Sequence, residues 1–336
     1  MKDLLPKAYL TRTMVPTVLE RLRSLCDVHI NPKDRTATRE ELIEDLRDAV
    51  ILVPSGPDDI AAEVLESALK LKLIANFGVG YNNIAVETAT RLGIALTNTP
   101  GVLADATADI AWALLMNAAR RIGQGDRMIR AGAWKGWGPL QLLGGDLAGS
   151  TLGIIGMGNI GKAMVPRAKG FSMRVIYWNR TRLSPEQEKD LGIEYLERDD
   201  LIRQADYISL HVALTAETTH LISNRELDLM KPSAYLINTT RGPVVDEKAL
   251  VDALREGKIA GAGLDVFENE PQVETGLLGL ENVVLTPHLG SATIGTRTRM
   301  GMMVADNIEA FIKGLPYPNL VNTDVLRGTT ETGLPP

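Results

Sequence analysis

Cysteine is almost missing from this chain: Cys26 is the only one in 336 residues. No internal disulfide is possible, and no thiolate cluster can hold a metal within one chain. Histidine is scarce too, with four residues, and His220 has no partner at the helical spacing a metal site uses. No metal is expected. Long apolar runs are also missing. The most apolar stretch, IAWALLMNAA, is about half the length needed to span a bilayer. The first residues, MKDLLPKAYL, carry no apolar core ahead of a small-residue cleavage site. A cytoplasmic location is therefore expected. Nor is there a basic excess: 36 Lys and Arg face 42 Asp and Glu. That balance argues against nucleic acid or an anionic membrane as the main partner.

What is present is a long alternation of short apolar runs and amphipathic stretches. At about 150 residues per domain, the length suggests two domains. Strands are predicted at Lys7–Leu10, Val28–Ile30, Val50–Pro54, Leu71–Phe77 and Gly93–Thr97, with helices such as Arg39–Ala49 and Ala61–Leu69 between them. One long helix is predicted from Ala104 to about Ala131. A second strand series follows at Thr151–Gly156, Arg174–Asn179, Tyr207–Val212, Tyr235–Thr239, Gly261–Val266 and Val283–Pro287. A last helix spans about Ala292 to Gly314, and the polar tail RGTTETGLPP reads as disordered. Such alternation predicts an α/β protein with two doubly wound parallel sheets.

The segment TLGIIGMGNIGKAM places G-x-G-x-x-G between a strand and a helix. Gly156 permits the tight turn, Gly158 admits a pyrophosphate against the backbone, and Gly161 lets helix and strand pack closely. The N–H groups of Asn159 and Ile160 would meet phosphate at the helix N-terminus. A second cluster, FGVGYNNI, begins the same way, but Asn83 stands in the third glycine's place. Val79 and Gly80 could there offer backbone N–H groups to a small anion such as a carboxylate.

The tip of the second strand selects the adenine ribose. An acid there would bind a free 2′-hydroxyl and repel a 2′-phosphate. This chain has Asn179, followed by Arg180, Thr181 and Arg182. The repulsion is gone and guanidinium forks are at hand, so NADPH is preferred, with NADH possible.

Three later strands end in INTTRGPVVD, GLDVFENEP and VVLTPHLGSAT. Ligands of open α/β sheets bind beyond the carboxyl ends of strands. Arg241, Asp265, Glu270 and His288 lie at or just past such ends. A histidine can protonate the oxygen formed by hydride transfer to a 2-keto acid. A glutamate would favour its charged form, and an arginine would hold the carboxylate and polarise the carbonyl. His211, at another strand end, could line the site or simply pack.

Five ordered motifs, FGVGYNNI, GIIGMGNIGKAM, INTTRGPVVDEKAL, GAGLDVFENEP and LTPHLGSAT, together resemble the D-isomer-specific 2-hydroxyacid dehydrogenases over roughly Lys7 to Asn322. The resemblance implies a central Rossmann coenzyme domain at about 101–289. Residues 1–100 plus 290–336 would form a flavodoxin-like catalytic, or lid, domain. It implies His288 as acid/base, Glu270 as its partner, Arg241 as substrate clamp, and Val79 and Gly80 as donors to the substrate carboxylate. Thr107, Asn159, Ile160, Val212, Ala213, Thr239, Asp265 and Gly290 would adjoin the coenzyme. The segment AGAWKGWGPLQLLG is similar to the glyoxylate and hydroxypyruvate reductase branch, in which it lies at a homodimer interface. Ala213 and Ala216 stand where the family often has prolines, and Asn82 and Ala85 where acids are common. Phosphite dehydrogenases share the motif order, and nucleotide-sensing corepressors use the same fold, so both stay open as alternatives.

Overall fold

The computed structural model describes residues 5–33 and 35–326. The tail expected to be disordered lies outside them. The chain divides into two compact units, one running to Leu103 and resuming at Ala292, the other spanning Ala104–Ser291.

The first unit contains β1 (Lys7–Leu10), α1 (Pro16–Leu25), β2 (Asp27–Ile30), α2 (Arg39–Asp45), β3 (Ile51–Val53), α3 (Ala62–Ser67), β4 (Leu73–Ala75), α4 (Val86–Arg91) and β5 (Ala95–Thr97). All five strands are parallel, in the order β2-β1-β3-β4-β5, which is the flavodoxin-like winding. Every residue of β3 and β4 is buried, as expected of strands covered on both faces. Leu42, Leu65 and Ile74 belong to the core on one side; Leu22, Leu73 and Ile308 belong to the core on the other. Ile308 comes from the helix Ile294–Ile312, which packs on α1. Start signals are local. Pro16 opens α1, and Thr38 with Glu41 closes a reciprocal capping box on α2. Asn322 ties the last segment to β5, accepting from Leu96 N–H and donating to Ile94 C=O.

The second unit begins with α5 (Ala104–Arg120) and α6 (Ile122–Arg130). Then come β6 (Thr151–Ile155), α7 (Asn159–Gly170), β7 (Arg174–Trp178), α8 (Pro185–Leu191), β8 (Glu194–Tyr195), α9 (Arg198–Gln204) and β9 (Tyr207–Leu210). It ends with α10 (Asn224–Leu229), β10 (Tyr235–Asn238), α11 (Glu247–Arg255), β11 (Gly261–Leu264), α12 (Thr275–Leu278) and β12 (Val283–Leu285). The order is β12-β11-β10-β9-β6-β7-β8, again all parallel. Winding runs outward from β6 to β8, then restarts beside β6 at β9. That reversal is the Rossmann switch point. The expected fold class, α/β with one Rossmann and one flavodoxin-like sheet, is the observed one.

Three details differ from expectation. The long helix from Ala104 does not continue to Ala131. Arg121 adopts a left-handed φ of 52°, and the side-chain oxygen of Asn117 takes the Gly123 N–H at 2.7 Å. An asparagine that competes for backbone donors, followed by two glycines, ends α5. The short strand β8 was not foreseen, because two residues carry too little periodicity to register. The strands of the second unit also stop one or two residues early. Asn179, Thr239 and Asp265 therefore lie just past strand ends, where the chain turns.

Candidate active site

The glycine loop is built by steric exclusion. Gly156 has φ of +101°, and a Cβ there would lie 2.6 Å from the carbonyl carbon and oxygen of His211. A Cβ on Gly161 would lie 2.1 Å from the Gly156 oxygen. Both positions require glycine, one for conformation and contact, the other for close approach. Gly158 differs: a Cβ on it would meet nothing within 4 Å. The open space lies just before α7, whose N-terminus has no side-chain cap. The N–H groups of Asn159 and Ile160 stand in that first turn, the setting in which helices bind phosphate. Two enclosed polar atoms lie at neighbouring strand ends, Thr239 Oγ1 after β10 and His211 Nδ1 after β9, and neither has a partner. Buried polar atoms are seldom left so. The loop and these two atoms fit a dinucleotide.

At the end of β7, Asn179 is more than an absent charge. Its side-chain oxygen accepts the Met157 N–H at 3.0 Å, and its amide nitrogen donates to Thr181 C=O at 2.8 Å. It therefore fastens the glycine loop to the next strand. The two arginines differ sharply. Arg182 grips Glu188 through two bonds of 2.7 and 2.8 Å and lies over the Tyr195 ring. Glu188 in turn sits well below the ordinary carboxylate range, at about 2, chiefly through Arg182. Arg180 is exposed and forms no hydrogen bond among the described residues; its charge acts on Glu217. Beyond β9, Val212 N lies 2.8 Å from where a Gly156 Cβ would be. The turn after Ala213 is closed by Thr218, whose hydroxyl donates to Ala213 C=O at 2.7 Å and accepts the Thr215 N–H at 2.8 Å. Threonines thus supply the order that prolines would give elsewhere.

Asp265, 1% exposed, organises the histidine segment. Its Oδ1 accepts the Leu289 N–H at 2.7 Å and the Thr286 hydroxyl at 2.6 Å, and its Oδ2 accepts the Gly290 N–H at 2.8 Å. Thr107 on α5 donates to Gly290 C=O at 3.1 Å. Held from both sides, His288 adopts a left-handed φ of 55°. That conformation costs a non-glycine residue about 1 kcal/mol or more and persists only where its surroundings impose it. Asp265, Thr107 and Gly290 together brace His288.

The His288 Nδ1 lies 2.9 Å from Glu270 Oε2, and Glu270 Oε1 accepts the Phe267 N–H at 3.0 Å. Burial pushes the Glu270 carboxyl up. The His288 hydrogen bond and charge, the Phe267 N–H and the Arg241 charge outweigh it, and the group is held below its ordinary value. An ionised Glu270 makes Nδ1–H the donor and leaves Nε2 for other chemistry. Arg241 is lowered by burial and raised by Glu270; a guanidinium stays charged through such shifts.

Several positioning side chains escaped sequence reading. Asn238 accepts from Thr240 N–H and hydroxyl and donates to Arg241 C=O, fixing the turn that presents Arg241. Its signal was an Asn two residues before a threonine at a strand end, an Asx turn. Glu247 and Glu268 exchange backbone bonds: each carboxylate takes the other's N–H at 2.8 Å. A Cβ on Gly242 would lie 1.8 Å from Phe267 C, so the Arg241 and Glu270 segments are in direct backbone contact. That reciprocal bridge spans 21 positions and left no local trace.

In the first unit, Val79 and Gly80 sit in the turn after β4. No acceptor takes either N–H among the described residues. The second unit also presents an apolar face along α6 and the loop after it. Ile129, Trp134, Trp137, Leu140 and Leu143 are all more than half exposed. Among the described residues no His, Cys, Asp and Glu group could hold a metal, and no helix is long and apolar enough to cross a membrane.

A Rossmann-ordered sheet, a glycine loop and a braced histidine–glutamate pair beside an arginine define a dinucleotide-dependent oxidoreductase. Residues 112–290 match the family described as D-isomer specific 2-hydroxyacid dehydrogenase, NAD binding domain. The chain is 51% identical to the glyoxylate reductase of Thermococcus litoralis over 96% of its length and 98% of that protein's. It is 47% identical to that of Pyrococcus furiosus, over 96% and 97%. Among solved structures, the NADPH-dependent glyoxylate/hydroxypyruvate reductase of Sinorhizobium meliloti, in complex with NADP and malonate, superposes with a TM-score of 0.84 at 36% identity. That match covers 95% of this chain and 97% of the other. The chain belongs to the D-isomer specific 2-hydroxyacid dehydrogenase family and is an NAD(P)-dependent oxidoreductase.

One prediction concerns His211. Its Nε2 lies 2.8 Å from Ser209 Oγ, and burial pushes its pKa down to about 3. A depressed folded pKa gives stability that is complete above the unfolded value, about 6.5, and is lost as pH falls toward the folded one. Unfolding free energy should therefore drop by up to ~1.4 kcal/mol per pH unit more in the native chain than in His211→Asn below pH 6.5. Urea titrations between pH 7 and 4.5 check this; parallel curves would refute it.

Proposed function

We propose that this enzyme reduces small 2-keto acids, glyoxylate and hydroxypyruvate foremost, to D-2-hydroxy acids, with NADPH as preferred coenzyme and NADH as a possible one. The observation that carries the reading is the His288–Glu270 pair at 2.9 Å, with Glu270 held ionised. Relatives named glyoxylate reductase, similar over nearly the whole chain, support the substrate class. So does the bacterial reductase whose solved complex holds NADP.

The coenzyme domain is the unit Ala104–Ser291, and the other unit is the catalytic, or lid, domain. Gly156, Gly158, Asn159, Ile160 and Gly161 hold the pyrophosphate. Arg180 and Thr181, with Asn179 uncharged, take the adenosine 2′-phosphate, and Arg182 backs them through Glu188. Val212, Ala213, Thr239 and the braced loop at Asp265 and Gly290 line the remainder, with Thr107. The bound nicotinamide supplies the hydride.

The chain's own groups do the rest. Arg241 binds the substrate carboxylate and draws charge toward the carbonyl oxygen. Val79 and Gly80 offer backbone N–H donors to a carboxylate. Glu270 accepts from Nδ1–H and holds the imidazole in place, so the proton to be exchanged is the one on Nε2. His288 delivers that proton to the forming alkoxide, and the neutral imidazole takes it back in the oxidative direction. The exposed apolar face at Trp134, Trp137 and Leu140 is covered by a second copy of the chain.

Four measurements test this reading. His288→Gln should lower kcat for glyoxylate by about a hundredfold or more, with NADPH affinity kept; near-normal turnover would remove His288 from the mechanism. Arg180→Ala should raise the KM for NADPH by about tenfold and leave that for NADH nearly unchanged. Equal changes for both coenzymes would contradict the phosphate role. Light scattering should give a two-chain mass, shifted toward one chain by Trp137→Asp; an unchanged mass would place the interface elsewhere. Reduction of NADP⁺ by phosphite faster than by glycolate would favour phosphite oxidation instead.

A further inference from the structure

The turn after β4 is held by two asparagine side chains that lie outside the catalytic set. Asn76, 1% exposed, donates through Nδ2 to Gly78 C=O at 3.1 Å and to Gly80 C=O at 2.9 Å. The Thr99 N–H also binds Gly78 C=O, at 3.0 Å. Asn98, across the turn, donates to Val79 C=O at 2.9 Å. Three successive carbonyls are thus each held by a side-chain amide.

A trans peptide unit is planar, with its C=O and N–H pointing in opposite directions. The unit that carries Gly78 C=O also carries Val79 N–H. The unit that carries Val79 C=O carries Gly80 N–H. Fixing one end fixes the other. Asn76 thereby sets the direction of the Val79 N–H, and Asn98 that of the Gly80 N–H. Consecutive N–H groups freed in this way form an anion nest.

We propose that Asn76 and Asn98 are positioning residues for substrate recognition: by holding the carbonyls of Gly78 and Val79, they pre-orient the Val79 and Gly80 N–H groups toward the carboxylate of a 2-keto acid. This rests on the reading of Val79 and Gly80 as carboxylate donors. Pre-orientation means that the donors need not reorganise when the anion arrives. Neither asparagine touches substrate or coenzyme in this account. Their effect should therefore appear only in how strongly the enzyme favours a substrate that bears a carboxylate.

The test compares glyoxylate with methyl glyoxylate, its uncharged ester, in native enzyme, Asn76→Ala and Asn98→Ala. Both substitutions remove donors without adding charge. Asn98 is partly exposed, so its variant is expected to fold even if the buried Asn76→Ala does not. The ratio of kcat/KM for acid over ester should fall about fivefold or more in each variant. Ester rates and NADPH affinity should stay within about twofold. An unchanged ratio, or an equal fall for acid and ester, overturns the positioning role. If the native enzyme itself shows no preference for the acid, the carboxylate reading of Val79 and Gly80 fails first, and this inference with it.

Discussion

The site depends on one buried carboxylate. Asp265 has no solvent to face and spends its oxygens on Leu289 N–H, Gly290 N–H and the Thr286 hydroxyl. A buried acceptor met by several short donors is among the stronger polar arrangements a protein interior can hold. Here it holds a histidine in a backbone conformation that such a residue rarely adopts. The imidazole's reach to Glu270 follows from that constraint and from the backbone contact between the Gly242 and Phe267 segments. The histidine–glutamate pair is thus supported by groups that belong to neither side chain.

Much of this was legible in the chain. Alternating apolar runs announced both sheets, because a strand covered on two faces must be apolar throughout. Gly156 and Gly161 were legible for a steric reason: each lies where a single Cβ would strike backbone. His288, Glu270 and Arg241 could be picked out because titratable side chains just past strand ends have few structural duties. What stayed hidden was pairing across sequence distance. Nothing near Glu247 forecasts Glu268, and nothing near Asp265 forecasts that its partners lie 21 to 25 positions on.

The helix that was expected to run unbroken shows the opposite limit. Ala104 to Ala131 has helical periodicity almost throughout, yet one side-chain acceptor on Asn117 and a left-handed Arg121 divide it. Propensity is a weak prior when a local hydrogen bond competes. Arg182 teaches the same lesson at the surface. Its residue type and place suggest phosphate, but its fork is already closed on Glu188, which separates it from its neighbour Arg180.

Asn179 carries a wider implication. The bond that secures the glycine loop uses its oxygen, an atom that aspartate also possesses. Exchanging amide for acid would turn the link to Thr181 C=O into an oxygen–oxygen contact, while an acceptor for the Met157 N–H would remain. The charge at the end of β7 and the anchoring of the glycine loop are therefore separable traits. The charge at this strand tip can thus change without first rebuilding the loop.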